Sequence, residues 1–285
     1  MSTKGRKGFY KEAEIKKGAD GSMDLVLPSI SEADLVKQLP NVSIITITKN
    51  RGMFAGIMLY NWVHIKYPRE KLEWLILDDT PGTPEYNLCD YLPTDDPLIR
   101  YVKLDKEYKV ADKRNLAVSM AKYDFVSHMD DDDLIFPDSV LAKIRLILHY
   151  NMEGVHSMPI GIYDMMEKTS IIFSTKVDCN DIAEASITYR KRYWQTHRFE
   201  SDEPNGTSEG RAFIGKNFHK WMKVHFLFNM VSITHTQNVT GHGRRFINDT
   251  TLLATGNFED VFPEDFKVIL ENLRKMLAKD YKRPE

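Results

Sequence analysis

Four consecutive aspartates, Asp130 to Asp133, stand inside the stretch "YDFVSHMDDDDLIFPDSV". Adjacent carboxylates repel one another, and once partly buried they require a cation or a proton. The flanks are not those of a solvated acidic tail. "YDFVSHM" is a short apolar run with aromatic and β-branched members and reads as a strand. "LIFPDSVLAKIRLILHYN" reads as a loop and then a helix, with Pro137 suited to the first turn and Val140, Leu141, Ile144, Ile147 and Leu148 at helical spacing. The aspartates are therefore expected in the turn at the carboxyl end of a strand, where open α/β sheets bind ligands. A hard cation with oxygen ligands, Mg²⁺ or Mn²⁺, is the natural counter-charge. An EF-hand is excluded, because counting from Asp130 puts Ile135 where the loop needs glycine and Leu141 where it needs glutamate.

A second carboxylate pair, Asp78 and Asp79, ends the strand-like "LILDDTPG". If that strand neighbours the first, these acids approach the same crevice and suit ribose hydroxyls or base N–H groups. The plainer reading is a strand-ending turn, for which aspartate is common. His235 follows the strand-like "MVSIT" and is a candidate further metal contact, although a lone histidine is more often structural. "TGHGRRF" puts His242, Arg244 and Arg245 in a Gly-rich segment, and forked arginine donors suit a diphosphate. Tyr193 and Trp194 suit a sugar face or, more simply, a core. "GRAFIGKN" nearly spells a phosphate-binding P-loop, but Asn217 stands where Ser or Thr should contact the metal, and no apolar strand precedes it.

The elements that must position these residues are legible as alternation. "NVSIITITKNR" reads as a buried strand, "GMFAGIMLYNWVHIKYP" as a helix ended by Pro68, "LEWLILDDTPG" and "LIRYVKLD" as further strands, and "VADKRNLAVSMA" as a helix. Strands alternating with helices predict an α/β fold with a mainly parallel sheet covered on both faces. The second half is less regular. "GVHSMPIGIYDMMEKTSIIFS" suggests short strands, "ITYRKRYWQTHRF" is a helix or part of one, "KWMKVHFLFNMVSITH" contains a buried strand, and "PEDFKVILENLRKMLAKDYKR" is an amphipathic helix with Pro263 near its start. Four segments are expected: a polar Lys-rich arm at 1–40, a ligand-binding half at 41–150, a second half at 151–262 with a mobile loop at 238–258, and a terminal helix at 263–285.

Composition narrows the class. The chain has 285 residues, 28% charged and 42% hydrophobic, with a formal net charge of −2. That balance offers no general attraction to nucleic acid. Two cysteines, Cys89 and Cys179, give no disulfide framework and point to a reducing compartment. The opening "MSTKGRKGFYKEAEIKKG" has no apolar core of a secretory signal, and no run reaches membrane-spanning length. A soluble cytoplasmic protein is expected, with peripheral membrane association left open. The glycosylation sequons at Asn41, Asn205, Asn238 and Asn248 carry little weight in that setting.

In their order, "VSIITITKNR", "LILDDTP", "DKRNLAVSMAKYDFVSHMDDDD" and "LIFPDSV" resemble the nucleotide-sugar glycosyltransferases of family 2, which have the GT-A fold. The resemblance implies a Rossmann-like central sheet with a smaller acceptor-side region. It also implies transfer of a sugar from a nucleoside diphosphate, with UDP-sugar and inversion favoured, to a hydroxyl on a glycan, protein or lipid. By that pattern Asp130-Asp131-Asp132 is the Asp-x-Asp motif, with Asp130 near the ribose and Asp132 on a Mn²⁺ or Mg²⁺ ion that bridges the diphosphate. Thr48, Asn50 and Arg51 match the turn beside the base, Asp79 with Asp78 the uracil or ribose contact, and Arg114, assisted by Lys113, the basic residue of the "RN" helix. "PNGTSEGRAFIGK" resembles the acidic motif whose carboxylate acts as general base, and Glu209 occupies that place, although Gly210 stands where the family more often has aspartate. A helix-start acid favoured by the dipole would read the same way. Two rivals remain. A nucleotidyltransferase would carry a Gly-rich basic loop after the first strand, of which "TKNRGMFAG" is a poor version. A non-catalytic binding module fits less well with aspartates intact at 130–133.

Overall fold

The computed structural model describes residues 14–17, 23–26, 37–82, 85–157, 160–173, 184–200, 209–215, 217–238, 252–256 and 258–280. The chain divides into two compact units, Met1–Pro40 and Asn41–Glu285. In the first, β1 (Glu14–Lys17) and β2 (Met23–Val26) pair antiparallel, Glu14 opposite Val26 and Lys17 opposite Met23. The sequence read this region as a polar arm, because strands of four residues are too short for alternation to register.

The larger unit is built on a mostly parallel seven-stranded sheet. Its spatial order is β12 (Trp221–Val224), β8 (Gly154–Ser157), β11 (Thr188–Arg190), β6 (Phe125–His128), β3 (Val42–Thr48), β4 (Leu72–Asp78) and β5 (Ile99–Lys103). β6, β3, β4 and β5 run parallel, as do β8 and β12, while β11 is antiparallel to both its neighbours. All seven residues of β4, "LEWLILD", are buried, as expected of a strand covered on both faces. Its one charge inside the run, Glu73, is held by the Ser43 hydroxyl and the Lys122 N–H, each at 2.5 Å.

Helices α1 (Ala55–His64), α2 (Val110–Met120) and α3 (Ser139–His149) follow β3, β5 and the aspartates, and the short α4 (Lys191–Thr196) and α5 (Glu209–Ile214) follow β11. α1 stops at His64, four residues before Pro68, because Ile65 turns to an extended ψ of 116°. α6 (Glu264–Leu277) buries Phe266, Leu270, Leu273 and Leu277 on one stripe, with Glu264 and Asp265 in its first turn and Arg274 and Lys275 in its last. Those charges complement the helix dipole, and each buried side chain contributes about 1.5–3 kcal/mol. Among the described residues no helix is long and apolar enough to cross a membrane.

A second sheet, of five strands, was not anticipated. Its order is β14 (Leu252–Gly256), β10 (Thr169–Phe173), β9 (Ile160–Asp164), β13 (Met230–Thr234) and β7 (Leu134–Ile135). The aspartates therefore form the junction between β6 of the large sheet and β7 of the small one. β7 pairs antiparallel with β13, Leu134 opposite Val231, which brings the end of β13 and His235 back to the aspartates. The expected loop at 238–258 contains a strand at 252–256, the edge of this sheet; residues 239–251 lie outside the described residues. The helix expected across 187–199 gives its first part to β11 and keeps one short helix, α4. Tyr193 is buried in an aromatic core with Tyr189, Phe199, Phe213 and Trp221, so packing accounts for it. Trp194 packs against the same core and donates to Asn115 Oδ1 at 2.9 Å.

Candidate functional site

Each of the four aspartates is tolerated by a different partner. Asp130 receives Arg114 as a fork, Nη1 to Oδ1 and Nη2 to Oδ2, both at 3.2 Å. Asp131 is buried and accepts the Thr48 hydroxyl at 2.6 Å. Burial, with Asp132 and Asp130 on either side, pushes its carboxyl up to about 7 against the pull of Arg51 and the Thr48 bond. Asp132 Oδ2 accepts from Arg51 Nη1 at 3.1 Å and Asn238 Nδ2 at 3.2 Å, and lies 3.0 Å from His235 Nε2. Asp133 serves the frame instead: its carboxylate takes the Ile233 N–H at 2.9 Å and its carbonyl takes Asn61 Nδ2 at 2.7 Å, stitching β13 and α1 to the turn. The two more open side chains are Asp130 at 26% and Asp132 at 14%, while Asp131 and Asp133 point inward. The alternation leaves the first and third carboxylates the more exposed.

The turn after β3 supplies the next wall. Asn50 adopts a left-handed backbone, φ 56°, which asparagine tolerates better than most residues, and its N–H bonds the Thr80 hydroxyl at 2.7 Å. That conformation sends Arg51 toward Asp132, where its second arm also donates to the Gln237 carbonyl at 2.5 Å. Gly52 is required by space: a Cβ there would lie 2.0 Å from the Tyr86 carbonyl oxygen.

Asp78 and Asp79, at the end of β4, are buried with internal partners. Asp78 accepts from Tyr101 Oη at 2.7 Å and the Thr80 N–H at 2.8 Å, with Lys103 at 3.5 Å. Asp79 accepts from Lys113 Nζ at 2.5 Å and the Tyr108 N–H at 2.8 Å. Lys113 also reaches the Thr48 carbonyl at 3.1 Å, and burial lowers its pKa even though Asp79 opposes the shift. Through these bonds the trio braces the ends of β3 and β4.

Arg114 is likewise buried. Besides Asp130 it binds Glu209 Oε1 through Nε at 3.3 Å and faces His128 Nδ1 at 2.9 Å. Facing a guanidinium, Nδ1 must accept, so His128 carries its hydrogen on Nε2, toward Tyr189 Oη at 3.1 Å. Burial and then Arg114 hold His128 well below the usual imidazole range. His235 Nδ1 lies 3.1 Å from the Gln237 N–H, and its Nε2 lies 3.0 Å from Asp132 Oδ2, 3.1 Å from Arg51 Nη1 and 3.2 Å from Asn238 Nδ2. Arg51 and Asn238 offer hydrogens to Nε2 while Asp132 offers only a lone pair, so these contacts fix no single tautomer. His235 stands beside Asp132, where the sequence expects a further metal contact.

Glu209, the first residue of α5, is 4% exposed and tied to Arg114. A second carboxylate beside it carried no sequence signal. Glu184 Oε1 accepts the Gly210 N–H at 2.8 Å, and burial together with Glu209 pushes its carboxyl up to about 7 while Arg114 opposes. Neither the alternation of apolar residues nor a motif marks position 184. His242, Arg244 and Arg245 lie outside the described residues.

Residues 43–170 match glycosyl transferase family 2. The family 2 match takes in β3 to β10 without β10's last residues, and with them Thr48, Arg51, Asp78, Asp79, Lys113, Arg114 and all four aspartates. Glu184, Glu209 and His235 fall beyond it. No curated protein matches the chain by sequence. Among solved structures, S. aureus TarS 1–349 in complex with UDP-GlcNAc is similar at 14% identity and a TM-score of 0.53, over 70% of this chain and 60% of that one. The mannosyltransferase PcManGT from Pyrobaculum calidifontis, in complex with GDP-Man and Mn²⁺, is similar at 15% identity and a TM-score of 0.54, over 96% of this chain and 75% of that one. The chain thus spans about 60% of the TarS 1–349 length. At such identities the likeness is one of fold, and the fold is GT-A.

Proposed function

We propose that the chain is a metal-dependent glycosyltransferase that moves a sugar from a nucleoside diphosphate, UDP in our reading, to a hydroxyl acceptor with inversion. The observation that supports this best is the pair Asp130 and Asp132, the two open carboxylates of the family 2 segment, at the carboxyl end of β6 between two cationic side chains. The similar structures bind UDP-GlcNAc in one case and GDP-Man with Mn²⁺ in the other.

The residues fit a divalent ion in part. Among the described residues no cluster of three or more His, Cys, Asp or Glu is arranged to hold one. Asp130 and Asp132 nevertheless offer the hard oxygen donors that Mn²⁺ or Mg²⁺ takes, and both ions fill their remaining positions with water and phosphate oxygens. When bound, the ion would neutralise the leaving diphosphate. Asp130 would sit near the ribose and Asp131, through Thr48, would fix the motif's backbone. Thr48, Asn50 and Arg51 would line the base side, Asp78, Asp79 and Lys113 would brace it, and Arg114 would hold Asp130. We assign Arg244 and Arg245 to the diphosphate on their sequence alone. The acceptor's proton would go to the carboxylate pair beside Arg114, of which Glu209 is the member the family pattern selects. An exposed thiol at Cys89 suits a reducing compartment, and we place the protein in the cytoplasm.

Incubation with a panel of labelled UDP-sugars and Mn²⁺ tests this reading. It predicts slow release of UDP from one donor, accelerated by acceptor. Release of pyrophosphate from a nucleoside triphosphate and sugar phosphate would mark a nucleotidyltransferase. Binding without turnover of any donor would mark a binding module.

A further inference from the structure

Two carboxylates besides Asp130 act on Arg114, those of Glu209 and Glu184, and they are not equivalent. Glu209 is 4% exposed and has Arg114 Nε 3.3 Å from its Oε1. That contact ties the Glu209 carboxylate to the buried guanidinium. Glu184 is half-buried, and its Oε1 takes a backbone N–H, that of Gly210, at 2.8 Å. Position 210 is the only one at which α5 approaches this carboxylate through a missing side chain. A Cβ there would stand 2.6 Å from Glu184 Oε1 and 3.0 Å from its Cγ and Cδ. Glycine at 210 thus makes the room that Glu184 fills.

The turn carrying Glu184 is firmly held. The carbonyl of Ser186 receives Asn229 Nδ2 at 2.8 Å and Lys143 Nζ at 3.3 Å, Ser186 Oγ receives the Ser157 N–H at 3.0 Å, and the Ile187 N–H closes the turn on the Glu184 carbonyl at 3.3 Å. A proton acceptor needs such fixed placement.

We propose that Glu184, reaching across Gly210, is the general base of the transfer, and that Glu209 with Arg114 positions it. This rests on the glycosyl-transfer reading. In the step, the Glu184 carboxylate takes the proton of the acceptor hydroxyl. The freed oxygen bonds to the anomeric carbon, and the bond from that carbon to the diphosphate oxygen breaks, its electron pair leaving on the diphosphate. The charged groups facing Glu184 are Glu209 on α5, Arg114 on α2 and, on the turn's other side, Lys143 on α3. The first raises its proton affinity and the second lowers it. A base poised near neutrality is the efficient one.

Three variants test the assignment. Glu184→Gln should lower turnover by roughly 10²- to 10⁴-fold with UDP affinity in Mn²⁺ unchanged. Glu209→Gln should move the acid limb of the pH–rate profile to lower pH, because the neighbouring negative charge is gone and Arg114 remains. Gly210→Ala, a favourable change for a helix, should slow the enzyme by pushing Glu184 aside and should cost nothing further in the Glu184→Gln background. Normal turnover by Glu184→Gln, or an undisturbed acid limb in Glu209→Gln, overturns the proposal, as does a loss of UDP binding in Glu184→Gln. An infrared pH titration of carboxyl bands decides the matter even if no donor is turned over. Asp131 also titrates near 7, so the titration is run in the Asp131→Asn background. There one carboxyl protonating near pH 7 should disappear when Glu184→Gln is added and titrate lower when Glu209→Gln is added. Its absence from Asp131→Asn, or its persistence once Glu184→Gln is added, refutes the assignment independently of the reaction.

Discussion

Asp131→Asn should stabilise the metal-free protein at pH 8 and do nothing to it at pH 4. Asp131 is buried beside two other carboxylates, and burial together with them pushes its carboxyl from 3.8 to about 7. A group whose folded value is raised binds more protons in the folded than in the unfolded chain between those two values. Its contribution to stability is therefore fully present below about pH 4 and declines as pH climbs to about 7. The gap is worth on the order of 4 kcal/mol at 1.36 kcal/mol per unit. Asparagine has nearly the same shape, keeps an oxygen to accept the Thr48 hydroxyl, and cannot ionise. The difference between variant and wild type should thus be near zero at pH 4 and rise to a few kcal/mol above pH 7. For a unit of this size that is roughly 8–16 °C in melting temperature. Thermal and urea unfolding from pH 4 to 8.5 in EDTA measures it, and Mn²⁺ added at pH 8 should narrow the gap by supplying a cation to the ionised cluster. A difference that does not vary with pH, or a variant less stable than wild type at pH 8, would refute the reasoning.

Other substitutions probe the frame around the site. Arg51→Ala should destabilise the metal-free protein by about 1–3 kcal/mol, since Asp132 and the Gln237 carbonyl each lose a donor; chemical denaturation reads this out. Gly52→Ala should cost at least 1–3 kcal/mol, roughly the penalty of overpacking, because its Cβ would run into the Tyr86 backbone, and the loss should appear in the urea midpoint. Phe266→Ala, which empties a fully buried position of α6, should cost about 3–5 kcal/mol in the same assay.

How far the sequence carried these features depends on what each residue contacts. β4 was legible because a strand buried on both faces must be apolar almost throughout. The aspartate turn was legible because a strand and a helix bracket it. The second sheet was not, since β7 has two residues and gains its identity only by pairing with β13, nearly a hundred residues away. The same long-range pairing explains the fourth aspartate. Nothing local separates Asp133 from its neighbours, and only the Ile233 N–H and Asn61 reveal it as structural. His235 stands out in the sequence for its place after a strand, and its contacts with Asp132 and Arg51 become visible only once β7 pairs with β13. Asp78 and Asp79 read as ligand contacts because they end a strand, and Lys113 because it precedes Arg114 in the "RN" helix; the bonds among them are visible only once β3, β4 and α2 are packed. Glu184 sits in an unremarkable "AEAS" and becomes noticeable through the missing Cβ of Gly210.

The central claim is that Asp130 and Asp132 present a divalent ion to a nucleoside diphosphate. Calorimetric titration of UDP into the wild type and Asp132→Asn, each in Mn²⁺ and in EDTA, tests it most directly. An amide is a much weaker ligand than a carboxylate for a hard cation. The account predicts UDP binding by the wild type in Mn²⁺, with affinity falling at least tenfold in EDTA and falling as far in Asp132→Asn with Mn²⁺ present. Equal UDP affinity in all four titrations, or no UDP binding by the wild type in Mn²⁺, would contradict it.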